Sequence, residues 1–299
     1  MNLSTVQETL KNLAPRPVRQ LARVSLKTIR DLRNRIQRQK GQALDQAGIV
    51  NALRDLGISS GDTLIVHSSL SRLGFVEGGV DAVVKGLLDA VGPNGTLGAP
   101  TFWVVDPNAV EEGTLFDAVN GKSQLGGISE RIRRLPGAVR SLHPTHSATF
   151  VGPLARDLTV EHHLDETPVG PRSPYSKLVG ARGKILLLGV SLEYLTNFHT
   201  IEDEIAPFPY EVYSPGRKTF RVLSPDGEEL SLLVRVHSPE GARARQCTKM
   251  ETHLLAEGVM VKGSVGKGEA IVLDAAGLHA ALLRLCHRGI TMYAPEGRG

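Results

Sequence analysis

The sequence predicts an α/β fold, a central mixed sheet with helices on both faces, and three observations carry that prediction. From about residue 45 onward, helical and strand patterns alternate along the chain. Thr63–His67 reads as a buried strand and Lys184–Gly189 as an apolar one, each followed by a loop. Lys218–Leu223 and Leu230–Val236 flank Ser224-Pro225-Asp226-Gly227 and read as a β-hairpin, so the sheet system is expected to be mixed and not purely parallel.

The elements follow in order. Val18, Leu21, Ala22, Ser25, Ile29, Leu32 and Ile36 recur at helical spacing with arginines between them. Pro15 and Pro17 precede this pattern and Gly41 follows it, as helix boundaries require. Residues 1–44 are therefore expected to form a basic amphipathic helical extension, and 45–299 the main domain. Gln46–Leu56 reads as a helix closed by Gly57, Gly79–Val91 as a helix and Gly95–Pro100 as a strand. Ile128–Leu135 is a helix and Ala148–Gly152 a strand. The punctuated loop Gly170-Pro171-Arg172-Ser173-Pro174 leads into a short helical stretch, and Lys184–Gly189 is followed by a turn that delivers His199. Thr248–Glu257, Glu269–Leu273 and Ala275–Cys286 close the domain.

Composition removes several classes of function. The chain has 299 residues, 41% of them hydrophobic, which is enough for a sizeable core. No apolar run reaches membrane-spanning length, and the N-terminus lacks the apolar centre of a secretory signal. Only Cys247 and Cys286 are present, too few for a disulfide framework or a four-cysteine zinc site. A cytoplasmic protein is expected. Residues 1–40 hold ten Lys or Arg against Glu8 and Asp31, a net +8, which leaves −4 for the remainder of a chain whose total is +4. A nucleic-acid enzyme spreads positive charge over its binding face, with aromatic side chains for stacking; here the charge sits in the extension and the aromatics are absent from it. Nucleic acid is not an expected partner. The extension suits packing on the domain or on a second subunit, or peripheral contact with a membrane or another anionic surface.

Three motifs bear on chemistry. Val66-His67-Ser68-Ser69-Leu70-Ser71-Arg72-Leu73-Gly74, with Gly78-Gly79 beyond it, ends a strand in a loop of small hydroxyl residues. Backbone N–H groups there can face a phosphate or thioester oxygen, and Arg72 adds charge, although turn geometry alone favours the same residues. His143 and His146 lie three apart, but HExxH is missing and the neighbours His162 and His163 point to opposite sides of any regular element. Turn-forming and pocket-lining roles suit the pair better than a metal. His199 and Glu202, also three apart, share a face of a helical turn, so the carboxylate can reach the imidazole and raise its basicity. Asp165-Glu166 and Glu202-Asp203-Glu204 are acidic clusters that either remain solvated or attract a cationic amine.

Taken in order, these pieces resemble the aminoglycoside 3-N-acetyltransferase family over roughly residues 45–285. The landmarks are VHSSLSRLGFVEGG at 66–79, GTLGAPTF at 95–102, LHPTHSATFVG at 142–152 and VGPRSPYSKL at 169–178. KILLLGV at 184–190, the pattern Thr196, His199 and Glu202, and VGKGEAIVLDAAGL at 265–278 complete them. The resemblance implies a three-layer α/β/α enzyme that transfers acetyl from acetyl-CoA to a small-molecule amine, without a metal. It implies His199 as general base and Glu202 as its carboxylate partner. It also implies His67, Ser68, Ser69, Leu70 and Arg72, with Ser173 and Pro174, around the coenzyme, and Thr101 near the thioester carbonyl. Asp165, Glu166 and Asp203 are the acids that would face the acceptor. Neither cysteine lies in a matched motif, so transfer is expected to be direct. The acceptor is an aminoglycoside, as in antibiotic resistance, or a biosynthetic amino sugar of a surface polysaccharide or metabolite. The sequence departs from the family's pattern at Leu195-Thr196 and Thr200-Ile201-Glu202, beside the base, and residues 1–44 exceed its usual lead-in. A metal-dependent hydrolase using His143, His146 and His199, and a non-catalytic binding protein, are the competing readings.

Overall fold

The structure is a computed structural model and describes residues 43–293, so the basic extension expected over 1–44 falls almost wholly outside the described residues. Among these, seven strands form the main sheet, in the order β4-β5-β2-β1-β6-β10-β9. They are β1 (Thr63–Ser68), β2 (Thr96–Pro100), β4 (Val139–Arg140), β5 (Ala148–Val151), β6 (Lys184–Leu188), β9 (Met260–Val265) and β10 (Gly268–Asp274). The central trio β2-β1-β6 is parallel, whereas β5 joins β2, and β10 joins β6, antiparallel.

Every residue of β2 is buried, as are the first five of β1 and the last four of β6. Continuous burial means that both faces of the sheet are covered. Ile65, Ile185 and Leu187 point into one apolar cluster with Tyr175, Leu178 and Leu282, while Leu64, Val66 and Leu186 are equally buried but lie outside that cluster. Alternate side chains of a strand face opposite ways, so the layers are helix, sheet, helix. Helices α1 (Gln46–Asp55), α2 (Gly79–Val91) and α3 (Gly127–Arg133) form one contiguous group. A second group comprises α4 (Ala155–Thr159), α5 (Pro174–Gly180) and α8 (Ala275–His287). Their starts are local: the Asp45 and Asp274 carboxylates accept from Gly48 N and Gly277 N as N-caps.

The hairpin forms as expected but not in the central sheet. β7 (Lys218–Leu223) and β8 (Glu229–Val234) pair with β3 (Leu115–Asp117) in a separate three-stranded sheet. In β7 the buried Phe220 and Val222 flank the exposed Arg221, and in β8 half-buried positions alternate with exposed ones, so only one face of the pair needs cover. The mixed character of the main sheet comes instead from β4, β5, β9 and β10. The stretch expected as one helix over Thr248–Glu257 divides into a 3₁₀ turn, Cys247–Met250, and α7, Glu251–Ala256. A short α6 (Pro239–Ala244) and the edge strand β9 carry too weak a pattern to read from the sequence.

Candidate functional site

Ligands of open α/β sheets bind at the carboxyl ends of parallel strands. Here those ends are Ser68, Pro100 and Leu188. The chain leaves β1 through the 3₁₀ turn Leu70–Arg72, and Ser69 N donates to Leu188 O at 2.9 Å, which holds the loop over the end of β6. Gly189 lies beneath with φ +72, where an added Cβ would meet Arg72 Cβ at 2.9 Å and Ser69 O at 3.0 Å. His67 Nε2 and Ser68 Oγ are buried here without a hydrogen-bond partner, in a fold that leaves few buried polar atoms unpaired. Burial pushes the His67 imidazole down to about 3, so it is neutral at physiological pH.

Beyond β6 the chain winds into a 3₁₀ helix, Thr196–Ile201, with Glu202 as its C-cap. In 3₁₀ geometry residues three apart eclipse, which brings His199 Nδ1 to 2.6 Å from Glu202 Oε1. The Glu202 side chain has 0% exposure and also accepts from His237 Nε2 at 3.0 Å and from the Tyr293 hydroxyl. A carboxylate only accepts, so both imidazole N–H groups must point at it. That fixes His199 as the tautomer with its lone pair on Nε2, where Arg245 Nη1 donates at 3.3 Å.

The electrostatics follow. Burial alone would push the Glu202 carboxyl up, but the His199 and His237 contacts outweigh it and hold the group below the ordinary carboxylate range. Burial also pushes Tyr213 and Tyr293 up, reinforced by the Glu202 charge, and both stay phenolic donors. For His199 burial wins: although Glu202 raises its basicity as expected, the imidazole lies below its ordinary value. It is therefore uncharged and ready to take a proton at neutral pH.

His199 reaches the sheet through rings. Its centroid is 4.4 Å from His237, which lies 5.4 Å from His146, itself 4.5 Å from Phe102 just past the end of β2. Tyr213 stacks on His237 at 5.1 Å, and Arg235 covers Tyr213 at 4.3 Å. His237, Tyr293, Arg245 and Tyr213 were not picked out in the sequence, because each is 10 or more residues from its partner and sits in no local motif.

The remaining candidates distribute unevenly. Thr101 is fully buried, and its hydroxyl lies 2.9 Å from that of Thr149, inside the sheet. Ser173 is also fully buried and caps α5 through Ser176 N at 3.2 Å, with Pro174 beginning the helix. Asp165 is buried and accepts from Arg172 N at 2.8 Å, bracing the loop; Glu166 pairs with Arg217 at 2.7 Å at the surface. Asp203 accepts from Thr167 and from Tyr213. The acids do gather, but every one has a partner within the chain. His143 accepts turn N–H groups on Nδ1 and stacks on His162, so it does not converge with His146 and His199 as a metal-binding trio. Among the described residues only His199, Glu202 and His237 approach with ligand spacing, and a cation there would have to replace the N–H protons that hold them together. Both cysteines are free and buried, and burial pushes Cys247 up to about 12, which removes it as a nucleophile.

The model of the family described as aminoglycoside 3-N-acetyltransferase matches residues 65–286. Aminoglycoside N(3)-acetyltransferase IX of Micromonospora chalcea is 30% identical over 262 residues, covering 79% of this chain and 90% of that protein. Aminoglycoside N(3)-acetyltransferase VIII of Streptomyces fradiae is 37% identical over 177 residues, but the match spans only 62% of its length. The solved structure of AAC-IIIb in binary complex with CoASH superposes with a TM-score of 0.70 at 26% identity, covering 85% of this chain and all of that one. The chain belongs to the aminoglycoside 3-N-acetyltransferase family.

Proposed function

We propose that this chain transfers acetyl from acetyl-CoA to a primary amine of an aminoglycoside or another amino sugar, with residues 45–299 as the catalytic domain. The observation that carries this reading is the tie from His199 Nδ1 to Glu202 at 2.6 Å, which leaves the imidazole lone pair on Nε2. Acetyl-CoA supplies an activated carbonyl, and its fit rests on the unpartnered His67 Nε2 and Ser68 Oγ at the end of β1. An ammonium is not a nucleophile. The acceptor therefore attacks as the free amine; His199 Nε2 takes its proton and the imidazolium returns it to the departing thiolate, Glu202 stabilises the imidazolium, and Tyr293 and His237 hold Glu202 in place. The unpartnered Ser68 hydroxyl steadies the developing oxyanion, since Ser69 N already donates to Leu188 O and the buried Thr101 hydroxyl is paired with that of Thr149.

The test is a screen of amine acceptors with acetyl-CoA, scored by release of free CoA thiol. Turnover that falls roughly 10²–10⁴-fold in His199→Ala, with acetyl-CoA binding retained, supports the assignment. Near-normal turnover in that variant removes it.

A further inference from the structure

Arg245 stands at the one atom of this site that the acceptor must reach. His199 Nε2 is the nitrogen left to take the acceptor's proton, and Arg245 Nη1 already donates to it at 3.3 Å. Arg245 follows directly on α6, its Nε reaches Ala242 O at 3.4 Å, and its backbone bridges Tyr293, the residue that also holds Glu202. The Arg245 backbone is thus tied to the residue that holds the base's partner, Glu202.

Its charge has no counterpart among the described residues. Arg172, Arg217, Arg235 and Arg243 pair with Asp165, Glu166, Glu211 and Glu240, and no described carboxylate lies within ion-pair distance of Arg245. The acids that would greet a polycation are committed elsewhere: Asp203 to Thr167 and Tyr213, Glu204 to His279 at 2.9 Å. Guanidinium stays charged at any working pH and grips carboxylate or phosphate through paired N–H donors. An acceptor bringing only further ammonium groups meets a fixed like charge beside the base. An acceptor bringing an oxyanion draws Arg245 off Nε2 and frees the lone pair.

We propose that Arg245 reads the acceptor, and that the preferred acceptor carries a carboxylate or phosphate within a few bonds of the amine that is acetylated. This rests on the reading of His199 as the general base. The reaction is unchanged: the nitrogen–carbon bond forms, the carbon–sulfur bond of the thioester breaks, and the amine proton passes to Nε2 and from there to the departing thiolate.

The experiment uses the full chain, acetyl-CoA and thiol detection with four acceptors: glucosamine, glucosamine 1-phosphate, 2-amino-2-deoxygluconate and kanamycin. We expect kcat/KM for at least one oxyanion acceptor to exceed that for glucosamine tenfold or more; the phosphate and carboxylate arms show which group is read. Arg245→Ala should bring that ratio within about twofold of one and improve kanamycin relative to glucosamine. Arg245→Lys, which keeps charge but loses the paired donors, should fall between, and it carries the test if the alanine variant does not fold. Glu296→Gln removes the carboxylate that follows Tyr293 most closely in sequence and should leave the ratio unchanged. A wild-type preference for glucosamine or kanamycin, or an oxyanion preference that survives in folded Arg245 variants, overturns the proposal while acetyl transfer stands. Release of thiol from none of the four, with acetyl-CoA still bound, removes the acetyltransferase reading and this inference with it.

Discussion

Replacing Glu202 by glutamine separates the two tasks that its carboxylate performs. Oε1 accepts from His199 Nδ1 and from the Tyr293 hydroxyl, whereas Oε2 accepts only from His237 Nε2. A glutamine that sets its oxygen at the Oε1 position keeps both of those donors, and only His237 has to change tautomer. The other orientation would put an NH₂ against two donors and is disfavoured. His199 therefore keeps its lone pair on Nε2, and what is lost is the negative charge beside the nascent imidazolium. At about 4 Å and an effective dielectric near 20, that charge is worth about 4 kcal/mol, and the amide dipole retains part of it. A net loss of about 2–4 kcal/mol is roughly a 30- to 10³-fold fall in kcat. KM should change little, because the charge matters as the proton moves. The His199 imidazole, already below its ordinary value through burial, should titrate lower still, so the acid limb of the pH–rate profile shifts to lower pH. The assay is thiol release with the acceptor that the screen identifies, in parallel with Glu202→Ala, which removes the acceptor atoms altogether and should approach His199→Ala. Glu202→Gln within threefold of wild type, or altered only in KM, would refute the dyad.

Acid should unfold the protein over an identifiable range. Burial holds His67, His143, His146, His162 and His199 below their ordinary values, so below about pH 6.5 the unfolded chain binds protons that the folded chain refuses; stability falls as pH drops toward 3, and denaturant titrations that are flat from pH 7 to 5 would contradict this. Gly189→Ala places a side chain at φ +72 against Arg72 and Ser69, which should cost about 2 kcal/mol and weaken acetyl-CoA binding; unchanged thermal shift by acetyl-CoA would remove that loop from the binding site. Deleting residues 1–40 should leave a folded, acetylating domain, because the family match begins at residue 65 and the chain divides after Leu44; loss of folding, or of an oligomer, would assign the extension a packing role. Chelation should leave activity intact, since protons occupy the approaches between His199, Glu202 and His237; activity lost in EDTA and restored by zinc would revive the hydrolase reading.

Features with short periods are legible in the linear chain. Apolar runs such as Ile185–Leu188 read as buried strands, and the loop Gly170–Pro174 announced the short helix that Ser173 caps. The His199–Glu202 contact was legible because three residues make one 3₁₀ turn. The hairpin at Lys218–Leu223 was legible from its Ser-Pro-Asp-Gly turn, but its place in a separate sheet was not, because its pairing with Leu115–Asp117 joins segments about a hundred residues apart. The surroundings of the dyad take shape only when distant segments pack together. His237, Arg245 and Tyr293 lie 35, 46 and 91 residues from their partners, and nothing local foretells such meetings. The direction of the His199 shift was equally invisible, because it is set by how much protein closes over the ring, and burial here outweighs the neighbouring carboxylate. A side chain's type is written in the sequence, but its solvation and its distant neighbours exist only once the chain has packed.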